Sequence, residues 1–110
     1  MCIVGSAGPP SYPEKFHYTE RTKNSVTFTW KPPRNDGGSP VIGYFIEKKR
    51  QNEPAFVLHN KEICPSMTMT VEGLEEDWSY EFRIKCANLM GESEPSIPLN
   101  VVIQDDEGEV

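Results

Sequence analysis

The chain has 110 residues, enough for one domain and too few for two independent cores, which argues against a catalytic domain with a separate cofactor domain. Asp and Glu outnumber Lys and Arg 17 to 11, a formal charge of -6, so neither nucleic-acid phosphates nor an anionic bilayer is an expected partner. Hydrophobic residues make up 36% of the chain, and no apolar run approaches the roughly eighteen residues needed to cross a bilayer.

Residues 1–8 lack the basic start and apolar stretch of a secretory signal and read as an N-terminal extension. Behind Pro9, Pro10 and Pro13, residues 16–22 read as a first strand. The clearest alternation covers 25–30, where Val26, Phe28 and Trp30 point one way and Thr27 and Thr29 the other. It stops at Lys31-Pro32-Pro33, because adjacent prolines cannot donate ladder bonds. The run from Arg34 through Asp36-Gly37-Gly38-Ser39-Pro40 is turn chemistry and predicts a long exposed loop. Over 41–49, Ile42, Tyr44 and Ile46 share one face and Gly43, Phe45 and Glu47 the other, before charge takes over at Lys48-Lys49-Arg50.

A shorter strand is predicted over 55–59, after the breaker Asn52-Glu53-Pro54. Residues 67–71 then alternate Met67, Met69 and Val71 against Thr68 and Thr70, and the polar connection over 72–77 carries one apolar candidate, Leu74. The second clear strand is 79–87, with Tyr80, Phe82, Ile84 and Cys86 inward and Glu81, Arg83 and Lys85 outward. Residues 89–98 turn through Gly91, 99–103 close the series, and 104–110 form an acidic tail. About seven short strands with frequent turn signals predict an all-β, immunoglobulin-like β-sandwich. Its core is expected around Trp30, Tyr44, Leu74, Tyr80 and Phe82.

The leading prolines, Ser25-Val26-Thr27-Phe28-Thr29-Trp30, Gly43-Tyr44, Leu74 six residues before Tyr80, and Tyr80-Glu81-Phe82-Arg83-Ile84 together resemble a fibronectin type III domain over 9–103. The resemblance implies that the Tyr80 hydroxyl bonds back to backbone near Leu74. No cysteine on the second strand could pair with Cys86, so the inter-sheet disulfide of antibody domains is absent. Asp36-Gly37-Gly38-Ser39-Pro40-Val41-Ile42-Gly43-Tyr44 and Ala87-Asn88-Leu89-Met90-Gly91-Glu92-Ser93-Glu94-Pro95-Ser96 look like the modules of titin, twitchin, projectin and myosin-binding protein C. Phe56 departs from those modules, which usually carry a tryptophan there.

Candidate chemistry is sparse. Cys2, Cys64 and Cys86 are odd in number and have no C-x-x-C spacing, which points to reduced thiols in a cytosolic setting, with Cys64 the more accessible. His17 and His59 lack a second imidazole at ligand spacing, and the acidic runs at Glu75-Glu76-Asp77 and Asp105-Asp106-Glu107 lack calcium-loop spacing. Asp36-Gly37-Gly38 has no P-loop lysine and opens no helix. No catalytic residue, cofactor site or metal site is therefore expected. Lys48, Lys49 and Arg50 read either as charge that guards a strand edge or as a docking rim, and Phe45 either as partly covered by its neighbours or as a contact residue. Phe45, Lys48 and Arg50 form the candidate partner surface.

The resemblance implies a noncatalytic module of an intracellular muscle giant, monomeric when isolated, in the A-band of the sarcomere. It would be one link in a tandem array with neighbouring immunoglobulin and fibronectin modules, and thick-filament proteins, myosin above all, would be the partners. The parent protein would have room for a serine/threonine kinase domain elsewhere, and 104–110 would lead to a following domain. The alternative is an extracellular adhesion or receptor module, for which the sequence offers neither an Asn-x-Ser/Thr sequon nor an Arg-Gly-Asp triplet.

Overall fold

β-Branched and aromatic residues at period two make strands wherever one face can be buried, and here they make two packed sheets. The computed structural model describes residues 7–105, so Cys2 and most of both terminal segments lie outside the described residues. Eight strands follow in order: β1 (Glu14–Arg21), β2 (Val26–Lys31), β3 (Gly43–Arg50), β4 (Val57–Leu58), β5 (Thr68–Val71), β6 (Ser79–Asn88), β7 (Gly91–Glu92) and β8 (Leu99–Val102). One sheet has the order β1-β2-β5; the other runs β4-β3-β6-β7, with β8 also paired to β6.

β7 and β8 are one interrupted strand, lying against successive stretches of β6 at Ala87–Asn88 and Ser79–Phe82. Pro95 and Pro98 cannot donate to the ladder between them, and two serines complete it. Ser93 N–H donates to the Cys86 carbonyl at 2.8 Å while Cys86 N–H donates to Ser93 Oγ at 3.0 Å. Ser96 repeats the arrangement on Ile84 at 2.9 and 3.0 Å. Sequence alternation showed only the second half of this strand, because the first has two residues and no apolar face.

Two other elements differ from expectation. The strand predicted over 55–59 shrinks to Val57–Leu58, both exposed. Beyond it the edge of β3 is completed by a backbone bridge between Tyr44 and Cys64 and by a side chain: Asn60 Oδ1 accepts from Ile46 N–H at 2.8 Å, and Asn60 Nδ2 donates to the Tyr44 carbonyl at 3.1 Å. Ile42, expected inward, is 47% exposed because it precedes β3 and lies beyond the layer of Trp30 and Tyr44. At the other edge of the molecule, β1 is broken by bulges between Glu14 and His17 and between Tyr18 and Glu20.

Between the sheets, β2 contributes Val26, Phe28 and Trp30, β3 contributes Tyr44 and Ile46, and β6 contributes Tyr80, Phe82, Ile84 and Cys86. Phe28 joins the layers, its ring 4.8 Å from Phe16 and 4.7 Å from Phe82. Leu74 caps one end, where Glu75 N–H donates to the Tyr80 hydroxyl at 3.1 Å, the back-bond that the resemblance implied. At the opposite end the loop after β2 is less free than its composition suggested. Buried Asn88 donates from Nδ2 to the carbonyls of Gly8 and Asp36, both at 2.8 Å, and its Oδ1 accepts from the N–H groups of Met90 and Gly91. Gly37 (φ 79°) closes against the leading segment, and a Cβ there would collide with the Gly8 and Pro9 carbonyls.

Trp30 is 1% exposed and its indole N–H has no hydrogen-bond partner, so it contributes as bulk. Trp30→Ala is expected to cost about 3 to 5 kcal/mol in urea melts through cavity formation, and a loss under about 1 kcal/mol would contradict its inward position. Asn88→Ala, which removes a carboxamide used on both sides, is expected to cost about 1 to 3 kcal/mol; no measurable change would show that water replaces it freely.

Candidate interaction surface

Strand β3 carries Phe45, Glu47 and Lys49 on one face and Tyr44, Ile46, Lys48 and Arg50 on the other. Its register with β6 sets Phe45 opposite Lys85, Glu47 opposite Arg83 and Lys49 opposite Glu81, while Lys48 faces Phe82 and Arg50 faces Tyr80. The expected patch of Phe45, Lys48 and Arg50 is therefore divided between two faces, and Lys49 is the cation that shares the outer face with Phe45. The charge run had hidden the period: Lys48 continues the inward series begun by Tyr44 and Ile46.

Lys48 is half-buried, with Nζ 3.2 Å from His59 Nδ1. Burial lowers the Lys48 pKa, and burial followed by the Lys48 charge lowers that of His59, so the imidazole is held neutral as an acceptor. Arg50 lies over the Trp78 ring at 4.1 Å, and its Nε is 3.8 Å from Glu53 Oε2. Arg50 and Trp78 line, with Gln51, Asn52 and Ser79, a groove of about 570 Å³ at the end of the sandwich. Neither cation supplies a rim for Phe45.

The outer face of the larger sheet is a lattice of paired charges. Arg83 Nε donates to Glu47 Oε1 at 2.6 Å, and Lys85 Nζ lies 3.1 Å from Glu47 Oε2 and 2.7 Å from Glu92 Oε1. Lys49 Nζ is 3.7 Å from Glu81 Oε1. Phe56 completes the lattice as an aromatic platform, with the Arg83 guanidinium 4.0 Å and the Lys49 ammonium 5.5 Å from its ring centre. Charged residues of both signs at alternate positions of β3 and β6 are the sequence signal for these cross-strand pairs. Phe45 stands at the end of this lattice, half-covered.

Among the described residues no group of three His, Cys, Asp or Glu side chains could hold a metal ion. Cys64 and Cys86 are free thiols. Cys86 is fully buried and donates to the Ser11 carbonyl at 3.2 Å, and burial raises its pKa, the opposite of an activated thiolate. Cys64 is half-buried, 3.6 Å from the Ser66 carbonyl.

Burial pushes the Glu47 carboxyl upward, but hydrogen bonds from Arg83 and Lys85 and their charges more than offset it, leaving its pKa below the ordinary 4.5. A depressed carboxylate stabilises the fold above its unfolded pKa, and that contribution fades as pH falls below 4.5 through the folded value. Glu47→Gln should cost about 1 to 2 kcal/mol at pH 7 and flatten the loss of stability below pH 4.5. Urea melts of both proteins between pH 7 and pH 3 would check this; parallel curves would remove Glu47 from the lattice.

The family model for the fibronectin type III domain matches residues 11–102. The striated-muscle M-protein of Gallus gallus is 39% identical over 89 residues, which cover 81% of this chain and 6% of that protein. The slow-type myosin-binding protein C of Homo sapiens is 35% identical over 96 residues, 87% of this chain and 8% of that protein. The chain thus spans less than a tenth of either relative. Among solved structures, domains A168–A170 of titin superpose with a TM-score of 0.83 at 28% identity, covering 90% of this chain and 34% of that one. Sheet order, the Tyr80 back-bond and sequence agree: the chain belongs to the fibronectin type III family, and proteins of muscle are among its relatives.

Proposed function

We propose that this noncatalytic module is one link in a tandem array of immunoglobulin-like and fibronectin type III modules in a giant sarcomeric protein of the A-band. The observation that carries the reading is identity of 39% and 35%, over more than four-fifths of this chain, to M-protein and myosin-binding protein C. The module runs over 9–103, preceded by a short extension and followed by an acidic linker over 104–110 toward another domain. Its partners are thick-filament proteins, myosin above all, and the parent protein would have room for a serine/threonine kinase domain elsewhere.

Phe45 is the contact residue of the outer face, flanked by Glu47 along the strand and Lys85 across it rather than by Lys48 and Arg50. Cations already paired to Glu47, Glu81 and Glu92 steer an acidic coiled coil weakly, so a single module binds weakly and linked modules gain by effective concentration. A tandem fragment should bind a myosin rod fragment at low salt more tightly than the single module does. Phe45→Ala should weaken that binding several-fold while Arg50→Ala, on the other face, leaves it unchanged. Equal binding by both variants would remove the outer face as the contact, and no binding by the tandem would leave only the spacer role.

A further inference from the structure

The end of the sandwich that receives the incoming chain displays large apolar side chains. Ile42 is 47% exposed, Met90 53% and Leu89 80%. All three lie around Asn88: Leu89 and Met90 form the turn into β7, and Ile42 N–H donates to the Ala87 carbonyl at 2.8 Å. Such side chains on a hairpin tip gain nothing from water and mark a contact site when they cluster.

The direction of the incoming backbone is fixed at the same place. Gly8 N–H donates to the Gly37 carbonyl and Ser11 N–H to the Asn35 carbonyl, both at 2.8 Å, while Asn88 holds the Gly8 carbonyl. Pro9 sits close enough to Gly91 that an added Cβ would touch its ring at 3.5 Å. Whatever precedes Ala7 in the polypeptide therefore starts from a tethered point beside Leu89 and Met90.

We infer that this apolar end is the seat for the module immediately N-terminal in the same polypeptide, which docks on Leu89, Met90 and Ile42 and is thereby held at a fixed angle. The inference rests on the tandem reading above. Its support is the position of the tether, the small share of each relative that this chain spans, and its match to about a third of a three-domain titin chain. The matching chemistry is visible at this chain's own far end, where Trp78 is 40% and Val102 39% exposed beside the departing backbone. Unlike ends that each carry an apolar residue fit head to tail, the arrangement that propagates along a linear array. Covalent linkage supplies a high effective concentration, so a contact too small for free association suffices.

The test uses a two-module fragment containing the natural N-terminal neighbour, with rotational diffusion measured by 15N relaxation, against the Leu89→Ser/Met90→Ser double variant. Both positions are exposed, so the variant's melt should match the wild type. The expected result is tumbling as one elongated body in the wild type and shorter, separate correlation times in the variant. Independent tumbling of the wild type, or a gene without an upstream immunoglobulin or fibronectin module, would overturn the inference while leaving the tandem reading intact; a gene with no such module on either side would overturn both. In the isolated chain, Leu89 and Met90 methyl shifts should ignore both removal of residues 1–6 and protein concentration. A shift on removal would assign the seat to the chain's own leader, and a concentration-dependent shift would assign it to a second copy, each overturning the inference.

Discussion

One carboxamide holds the receiving end of the module together. Asn88 is 4% exposed; its Nδ2 donates to the leader at Gly8 and to the loop at Asp36 and Ser39, both distant in sequence, and its Oδ1 accepts from the turn at Met90–Gly91. A buried amide left with unmet valences is costly, so the segments it satisfies are selected together. The two strings that carry the likeness to muscle modules, around Asp36-Gly37-Gly38-Ser39-Pro40 and Ala87-Asn88-Leu89-Met90-Gly91, are thus halves of one contact. Glycine at 37 belongs to the same constraint, since the leader passes where a side chain would stand.

The two faces of the larger sheet obey different economies of polarity. Inward, Tyr44, Ile46, Phe82 and Ile84 exclude water and leave hydrogen bonding to the ladder; outward, Glu47, Lys49, Glu81, Arg83 and Lys85 satisfy one another. Exposed ion pairs stabilise little, but Glu47 accepts from two cations and is 14% exposed at its side chain, so the lattice fixes which outer side chain stands where. Phe56 takes its place in that lattice by lying under Arg83, which an aliphatic residue could not replace.

The long strands were legible because period two extends over several residues with both classes present: Val26, Phe28 and Trp30 against Thr27 and Thr29, or Tyr80 to Cys86 against Glu81 to Lys85. Where a strand has two residues, as in β4 and β7, no period exists to be read. Lys48 was placed beside Phe45 because a run of three cations reads as a block, although the inward series from Tyr44 already assigned it to the other face. The bonds of Asn60 and Asn88 were invisible to periodicity, although Asn88 lies in a string that carries the family likeness, because a side chain that stands in for backbone is defined by tertiary position. Ile42 kept the alternation but ran out of core, since the layer it would have entered ends at Trp30 and Tyr44.

The interrupted last strand bears on how such modules coexist as neighbours in one polypeptide. Chains of similar sequence held close together are prone to exchange strands during folding, and a continuous row of free donors along a sheet edge is the template for that error. Here the outer margin beside β6 is split by Pro95 and Pro98, and its serine oxygens are turned inward to Ile84 and Cys86. The opposite sheet ends at the doubly bulged β1. Neither of these two margins, out of the four that the two sheets have, offers a straight, uninterrupted template, so pairing between similar sequences is disfavoured there.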